Sequence, residues 1–338
     1  MLTREQLVEF RQHLQDISDS ISFPREDELQ CFLDKAVAIQ ESEDESYRPL
    51  NSAGKSGGLL DFTKSQLPVI IVPDIHGRAD FLLKLIDFKV ENSKTVLELL
   101  NENQIMVICV GDAVHSEMRG YERWLESFRD WNLDVYAGPT MQEEMKENFS
   151  VWLILMELKK TFVPSFHFLK GNHENVTNED AHGNHSFRKF VCEGQMCCDF
   201  IRQVYGDVIL HLINLWEKSL PLCAVFSSFG ISHAEPAKLY KKKEVINSFE
   251  NDSVVEGLTW TRNDEAEENS CRKLFRELSG KRKSKGILWF GGHRPVKDCM
   301  YKLRQNDSYI QILNPDKTNV AFVVPEKEFD PAKDIWNL

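Results

Sequence analysis

Five short motifs in this sequence combine carboxylate, amide or imidazole side chains with an adjacent glycine. They are Asp74-Ile75-His76-Gly77, Gly111-Asp112, Gly171-Asn172-His173-Glu174, Gly230-Ile231-Ser232-His233 and Gly291-Gly292-His293. Carboxylate and imidazole groups together suit divalent transition metals, with manganese the first expectation and iron or zinc the alternatives. Two such ions share an oxygen ligand, which a carboxylate such as Asp112 supplies. The motifs therefore predict a site for two divalent metal ions.

Each motif ends a short apolar run that predicts a β-strand. The runs cover residues 68–74, 104–112, 165–174, 223–233 and 286–293. Helical sequence alternates with them, as in an α/β protein. Because ligand sites of α/β proteins form at the carboxyl ends of strands, the five motifs are expected to meet at one edge of the fold. Two more apolar runs, 309–315 and 320–325, are predicted to close the chain as a hairpin.

Residues 1–66 are expected to form a helical extension and linker ahead of a main domain that covers residues 67–338. Leu7, Phe10, Leu14 and Ile17 are spaced three or four positions apart, which is the period of a helix. The glycine- and serine-rich residues 51–58 are typical of a linker or surface loop. The sequence does not indicate what this extension does.

The composition excludes several functional classes. A net charge of -12 argues against broad nucleic-acid binding, which depends on a basic surface. No stretch approaches the roughly 18 apolar residues of a membrane span, and the first residues do not resemble a signal peptide. The eight cysteines are then expected to be reduced thiols, and the protein is expected to be cytoplasmic. The oligomeric state is not indicated.

The set and order of the motifs resemble the calcineurin-like metallophosphoesterases, and within them the phosphoprotein phosphatase (Ser/Thr phosphatase) family and its bacterial-type branch. That family reads GDxHG, GDxVDRG, GNHE, HGG or HAG, and GHTPV, where this chain has PDIHG, GDAVHSE, GNHE, SHAEP and GHRPV. The resemblance covers residues 67 to about 325. It implies a four-layer α/β sandwich of two mixed sheets flanked by helices, with the helical N-terminal extension outside it.

The resemblance also implies a ligand set and a mechanism. The first metal would be held by Asp74, His76 and Asp112, and the second by Asp112, Asn172, His233 and His293. A metal-bridging hydroxide would attack the phosphorus directly, with His173 as the general acid. The implied activity is a phosphomonoesterase acting on phosphoserine or phosphothreonine. The alternatives are a nucleotide or dinucleoside polyphosphate hydrolase and, in a different class, a metal-binding scaffold without turnover.

GDAVHSE departs from the family pattern at two positions. His115 replaces an acid that orients the catalytic histidine in the family, and Glu117 or Glu174 is expected to stand in for it. Ser116 replaces an arginine that clamps the substrate phosphate, a bidentate role that serine cannot take over. The candidates for phosphate binding are Arg262 in LTWTR, which resembles the LLWxR segment of bacterial members, then Arg78, Arg294 and Asn172.

The stretch between Asp112 and Asn172 is longer than the compact family core needs. Residues 116–162 contain helical sequence and are predicted to form either a cap over the site or a layer on the outside of the sandwich.

Overall fold

Eleven of the described strands form two mixed sheets whose inner faces pack together, and helices cover both outer faces. The other two, Lys89–Val90 and Lys94–Thr95, form a small antiparallel sheet. The computed structural model describes residues 1–90, 94–281 and 286–338. The strands are β1 (Leu59–Phe62), β2 (Val69–Val72), β3 (Lys89–Val90), β4 (Lys94–Thr95), β5 (Met106–Cys109), β6 (Phe166–Phe168), β7 (Cys223–Phe226), β8 (Phe229–Ser232), β9 (Leu288–Gly291), β10 (Lys302–Arg304), β11 (Tyr309–Gln311), β12 (Asn319–Val323) and β13 (Ile335–Asn337). The helices are α1 (Arg4–Asp19), α2 (Glu26–Glu41), α3 (Ala79–Asp87), α4 (Val96–Asn101), α5 (Tyr121–Trp131), α6 (Pro139–Thr161), α7 (Glu193–Ser219), α8 (Lys242–Ile246), α9 (Asp252–Thr259), α10 (Ser270–Ser279) and α11 (Pro331–Asp334).

One sheet has six strands in the order β1-β7-β8-β9-β11-β10, and the other has five in the order β13-β12-β2-β5-β6. In the second sheet, β2, β5 and β6 run parallel to each other, so their carboxyl ends lie at the same edge. In the first sheet, β8 runs parallel to β9. These parallel pairs place the loops that carry the five motifs.

Alternation along the central strands explains the layered packing. Val69 and Ile71 of β2 pack into the core between the sheets, whereas Ile70 and Val72 pack against the helices outside. A strand that is buried on both faces needs apolar residues at every position, and the run VIIV meets that requirement. The α8, α9 and α10 helices cover the other sheet in the same way. The predicted sandwich of two mixed sheets flanked by helices is confirmed.

Two strand predictions were wrong. The run 223–233 is two antiparallel strands, β7 and β8, because the chain reverses at Ser227 and Ser228. The runs 309–315 and 320–325 do not pair as a hairpin, since β11 pairs with β9 and β12 pairs with β2 in the opposite sheet. Ile310 and Ala321 enter the same inter-sheet core from opposite sides, and this burial replaces pairing within a hairpin.

The N-terminal helices are present as predicted, and this region also contributes a strand that the sequence did not reveal. The α1 helix packs against α3 and α6, and α2 packs against α6 and α7. The β1 strand pairs in parallel with β7 at the edge of the six-stranded sheet. Buried Glu43, which follows α2, forms ion pairs with Arg48 and with Lys159 of α6. Residues 1–66 are therefore bonded into the sandwich.

Residues 116–162 divide into two parts. A 3-10 helix, Glu117–Gly120, directly follows the GDAVHSE motif, whereas α6 packs against α3 and β6 on the outside of the five-stranded sheet. The α5 helix joins them and contacts α6 and α7. Within the described ranges, none of the helices has the length and apolar character that a membrane-spanning helix requires.

Candidate metal centre

The five motifs lie at the carboxyl ends of β2, β5, β6, β8 and β9 or in the loops that follow them. Backbone hydrogen bonds join the first two loops, because the amides of Ile75 and His76 donate to the carbonyl oxygen of Asp112 at 3.0 and 2.9 Å. The amide of Gly77 donates to the carbonyl of Ala113 at 2.8 Å. These bonds satisfy backbone groups that have left the sheet and hold the β2 loop against the β5 loop.

Left-handed backbone turns three of the motif side chains into this cluster of loops. His76, Asp112 and His293 have φ angles of 50°, 53° and 59°, a conformation that is unusual for residues other than glycine and concentrates at functional sites. Gly111 has a φ of 125°, and a Cβ there would lie 2.5 Å from the amide nitrogen of Gly171. Glycine is therefore required for the β5 and β6 loops to approach this closely.

Asp112 stands at the centre of the ligand cluster. Its Oδ1 atom accepts a hydrogen bond from the amide of His173 at 2.9 Å. Its Oδ2 atom lies 3.4 Å from Nε2 of His233, 3.8 Å from Nε2 of His173 and 3.9 Å from Nε2 of His76. A carboxylate oxygen that faces imidazoles from three loops is suited to bridge two metal ions.

A second set of ligand atoms lies beside Asp112. The Oδ1 atom of Asn172 is 2.9 Å from Nε2 of His233 and 2.8 Å from Nδ1 of His293. Both carboxylate oxygens of Asp74 accept from the amide of His293, at 3.1 and 3.0 Å. The structure thus brings together all six side chains that the sequence analysis named as metal ligands, which are Asp74, His76, Asp112, Asn172, His233 and His293.

The tautomer of His76 follows from its partner. Its Nδ1 atom lies 3.1 Å from the carbonyl oxygen of Val114, which can only accept, so Nδ1 carries the proton. The lone pair of Nε2 then faces Oδ2 of Asp74 at 3.8 Å and Oδ2 of Asp112 at 3.9 Å. Metal-bound histidines are oriented by a hydrogen bond of this kind, so His76 is placed to bind through Nε2.

The electrostatics of the cluster favour cations. Asp74 and Asp112 are 0% and 2% exposed, and no lysine or arginine in the described part of the chain lies within 4 Å of their carboxylates. Burial raises the pKa of Asp74 to about 7. Burial, followed by the charges of Asp74 and Glu174, raises the pKa of Asp112 well above its usual range. Buried carboxylates so close together are stabilised as anions by a cation, and divalent metals meet that need.

The histidines are in the protonation state that metals require. Burial lowers the pKa of His76, His173 and His233 well below the usual value, and that of His293 to about 3. Neutral imidazoles bind metals, whereas protonated ones do not. Among the described residues, two groups have ligand atoms within 4.8 Å of one another, and these are His76 with His115 and His173, and Asp74 with Asp112 and His233. The second group consists of proposed ligands, whereas His76 is the one proposed ligand in the first group. Together with Asn172 and His293, these ligands form a mixed donor set that fits borderline divalent ions.

Glu174 has a role that the sequence analysis did not identify. Its Oε2 atom accepts from the amides of Asp112 at 2.9 Å and Gly171 at 2.6 Å, and its Oε1 atom accepts from the amide of Ala113 at 2.9 Å. One buried carboxylate thus joins the loop that carries Asp112 to the loop that carries Asn172. Such partners of the ligands set the geometry of a metal centre.

His173 has an aromatic and imidazole surrounding in place of a carboxylate. Its ring stacks on Phe187 with centroids 4.6 Å apart and lies 5.2 Å from the ring of His115. Its Nδ1 atom has no hydrogen-bond partner among the described residues. Glu174 accepts hydrogen bonds from backbone amides, and Glu117 pairs with Lys189. Contrary to the expectation, neither carboxylate hydrogen-bonds to His173. The acid of the family motif therefore has no direct substitute here.

His115 is itself held by its neighbours. The amide of Glu117 donates to Nδ1 of His115 at 3.2 Å, so Nε2 carries the proton and faces Oε1 of Glu193 at 3.7 Å. The ring stacks on Trp124 with centroids 4.9 Å apart. His115 thus fills the acid position as an imidazole packed on Trp124. The motif alone did not indicate this arrangement, because Trp124 and Glu193 are distant in sequence.

The proposed phosphate-binding residues occupy different surroundings. The guanidinium of Arg78 donates to the backbone carbonyls of Asp74, Ile75 and Lys317 at 2.9 to 3.0 Å and to that of Pro315 at 3.3 Å. Arg262 and Arg294 are exposed, and both lie close enough to His293 for their charges to lower its pKa, after the larger effect of burial. Lys189, which the sequence analysis did not name, forms an ion pair with Glu117 beside the cluster.

Comparisons with known proteins agree with this geometry. Residues 67–322 match the family described as calcineurin-like phosphoesterase. A protein serine/threonine phosphatase from Saccharomyces cerevisiae with similarity to human phosphatase PP5 has a TM-score of 0.57 and 13% identity, over 94% of this chain and 90% of that chain. A cold-active protein-tyrosine phosphatase of a psychrophile Shewanella species has a TM-score of 0.50 and 13% identity, over 85% of this chain and 80% of that chain. No curated protein matches the sequence. The match over residues 67–322 establishes that this chain belongs to the calcineurin-like phosphoesterase family and is a phosphoric ester hydrolase.

Proposed function

We propose that this protein is a two-metal phosphomonoesterase of the serine/threonine protein phosphatase type. The observation that carries the proposal is the position of Asp112 Oδ2, which faces Nε2 of His233, His173 and His76 at 3.4, 3.8 and 3.9 Å. One oxygen thus faces His76, a proposed ligand of the first metal, and His233, a proposed ligand of the second. A hydrolase that uses two metals needs this shared position.

The assignment of ligands to the two metals follows the neighbours of Asp112. One ion would be held by Asp74, His76 and Asp112, and the other by Asp112, Asn172, His233 and His293. Manganese fits the mixture of carboxylate, amide and imidazole donors, and iron and zinc are the alternatives. The chemistry that such a pair supplies when bound is activation of a water and neutralisation of phosphoryl charge.

His173 is the proposed general acid. The hydrogen bond from its amide to Asp112 Oδ1 at 2.9 Å fixes its backbone to the central ligand, and stacking on Phe187 orients its ring. Its Nε2 atom faces the cluster, 3.8 Å from Asp112 Oδ2, where a leaving oxygen would emerge. The role of His173 is to give a proton to that oxygen, and because burial lowers its pKa, the negative charge of the bound substrate must help it to hold that proton.

Arg262 and Arg294 are the proposed phosphate ligands among the arginines. Both are exposed, and their charges contribute to lowering the pKa of His293. A phosphoryl group bound at the metal centre would therefore be attracted by both guanidinium groups. Asn172, which is also a proposed metal ligand, is the third residue of the proposed phosphate-binding set. Because every nitrogen of Arg78 already donates to a carbonyl oxygen, we assign Arg78 to holding the β2 loop against residues 315–317.

A second candidate function is hydrolysis of a nucleotide or dinucleoside polyphosphate. It is favoured by the number of cations at the mouth of the cluster, since Lys189 accompanies Arg262 and Arg294. Three cations suit several phosphates in a row better than a single phosphate. The proposal for a phosphomonoester remains the first choice because the set and order of the five motifs resemble the serine/threonine phosphatase family.

The test combines metal analysis with a substrate panel. Protein purified with and without added manganese is analysed for bound metal and assayed with an aryl phosphate. It is then assayed with phosphoserine and phosphothreonine peptides, diadenosine polyphosphates and nucleoside monophosphates. Fastest turnover of the phosphopeptides would support the proposal. Fastest turnover of the polyphosphates would contradict it and favour the second candidate function. Metal uptake with no turnover of any ester would favour a metal-binding scaffold.

A further inference from the structure

We propose that Lys189 binds the substrate phosphate at the mouth of the metal centre, and that Glu117 is the counter-ion which the phosphate displaces. This rests on the proposed function, because it assigns a substrate contact of the same site. The residue concerned lies outside all five sequence motifs. It supplies a cation that the GDAVHSE motif itself lacks.

Ser116, which stands at the position of the missing arginine, does not face the metal centre. Its amide donates to Oε1 of Glu144 at 2.9 Å, and its hydroxyl donates to Oε2 of the same carboxylate at 2.5 Å. Arg123 binds this carboxylate as well, with Nε at 3.0 Å. The motif position is therefore committed to α6, and any phosphate contact must come from another segment.

The backbone around Lys189 is fixed against the site. Glu193 accepts hydrogen bonds from the amides of Lys189 at 2.9 Å and Phe190 at 2.6 Å. The ring of Phe190 stacks on His115 with centroids 6.0 Å apart, and the ring of Phe187 stacks on His173 at 4.6 Å. Lys189 thus lies between two side chains that pack on histidines of the cluster, and its own side chain is projected from a rigid loop.

The ion pair with Glu117 points the ammonium group of Lys189 toward the ligands. Oε2 of Glu117 contacts Nζ of Lys189, and Oε1 lies 3.9 Å from Nε2 of His76 and 3.3 Å from Nδ1 of His115. Both nitrogens carry lone pairs, because the other nitrogen of each ring holds the proton. Among the described residues, Lys189 is the one lysine or arginine within 4 Å of this carboxylate.

This carboxylate is well placed to be exchanged for a phosphate. Within the described residues, Lys189 supplies the lysine or arginine charge that pairs with Glu117, so a competing anion would exchange with Glu117 at this ammonium group. A phosphoryl group bound at the metal centre would present anionic oxygens, which accept hydrogen bonds from an ammonium group as a carboxylate does. Burial, followed by the charge of Arg294, lowers the pKa of Lys189, while the charges of Asp112, Glu193 and Asp74 act to raise it. The phosphate would replace Glu117 as the partner of Lys189.

The experiment measures binding of inorganic phosphate to the manganese-loaded protein by isothermal titration calorimetry. Lys189→Met should weaken phosphate binding roughly tenfold, since one charge-assisted hydrogen bond is lost from a half-exposed position. Lys189→Arg should retain binding within a few fold. Glu117→Gln should tighten phosphate binding, because the competing carboxylate is removed. Lys218→Met is the matched control, since the Lys218–Glu179 pair has exposures of 42% and 20% against 41% and 17% for Lys189–Glu117.

Unchanged phosphate binding in Lys189→Met would overturn the proposal, and so would a loss of bound manganese that accounts for the weaker phosphate binding. A Glu117→Gln variant that binds phosphate as weakly as Lys189→Met would also overturn it, because the pair would then act as a structural unit. These binding results do not depend on turnover. If wild-type protein hydrolyses no phosphoester yet shows the expected pattern, the proposed function fails and the phosphate site stands.

Discussion

Replacing Glu174 with glutamine tests how the metal ligands are positioned. The carboxylate of Glu174 accepts three backbone hydrogen bonds, from Asp112 and Gly171 at Oε2 and from Ala113 at Oε1. Glutamine retains one oxygen, which can keep the two bonds at the Oε2 position. Its amide nitrogen then faces the amide of Ala113, donor against donor. The Glu174→Gln substitution therefore loosens the loop that presents Asp112.

The expected magnitude follows from the kind of contact that is lost. Removing a partner of a metal ligand lowers metal affinity by roughly 10- to 100-fold, which corresponds to about 1.4–2.8 kcal/mol. The metal-free protein should be less affected, because burial raises the pKa of Glu174 and its charge raises the pKa of neighbouring Asp112. A neutral amide relieves both effects and offsets part of the lost hydrogen bond. The variant should thus show a larger change in metal binding than in metal-free stability.

The assay is calorimetric titration of metal-free protein with manganese, together with thermal unfolding in the absence of metal. The matched control is Glu43→Gln, which removes another fully buried acid, paired with Arg48 and Lys159 far from the ligands. Breaking that buried ion pair should cost about 3–5 kcal/mol and lower the Tm of this 338-residue chain by roughly 4–7 °C, with the manganese Kd unchanged. A manganese Kd for Glu174→Gln within twofold of wild type would refute the reasoning.

Three further predictions concern the centre and its support. Asp112→Asn should abolish hydrolysis and reduce bound metal together, because the shared ligand is lost; near-normal turnover with full metal content would contradict the bridging role. His173→Ala should slow hydrolysis most for esters with poor leaving groups, as measured by kcat across a series of aryl and alkyl phosphates, with exposed His211→Ala as the control; an equal loss for all esters would count against the acid role. Burial lowers the pKa of His167 to about 4, below the value of about 6.5 in an unfolded chain, so the unfolded state binds more protons between these limits. The free energy of unfolding should therefore fall on the order of 3 kcal/mol as the pH drops from about 6.5 to 4, and urea unfolding that shows the same pH dependence in His167→Asn would contradict this origin.

The central strands could be read from the sequence because burial on two faces leaves a clear apolar pattern, whereas the two-sheet sandwich was expected from the family resemblance. The run VIIV of β2 is apolar at every position, and it lies between the inter-sheet core and the helices. The antiparallel pair β7 and β8 was less clear, since Ser227 and Ser228 interrupt an apolar run without a glycine or proline to mark the turn. The β1 strand was not predicted, because four residues after a glycine-rich loop carry little periodic signal.

The ligand types were decided by the sequence alone. Asp74, His76, Asp112, Asn172, His233 and His293 follow strands or lie in glycine-bearing loops, and the carboxyl ends of neighbouring parallel strands meet at one edge. Which atoms face each other also depends on φ angles of about 50–60° at His76, Asp112 and His293. Residue type permits those angles without requiring them.

What only the tertiary structure decided is the environment of those ligands. Glu174 holds backbone amides instead of His173, Ser116 turns to Glu144, and Lys189 pairs with Glu117. Each contact joins segments that are separated along the chain, so its existence depends on packing distances that sequence order does not fix. Metal-ligand chemistry is a property of side-chain type, and it can be read locally. The orientation of an acid, a base or a phosphate-binding cation is a property of distance, and it is set when the whole chain has packed.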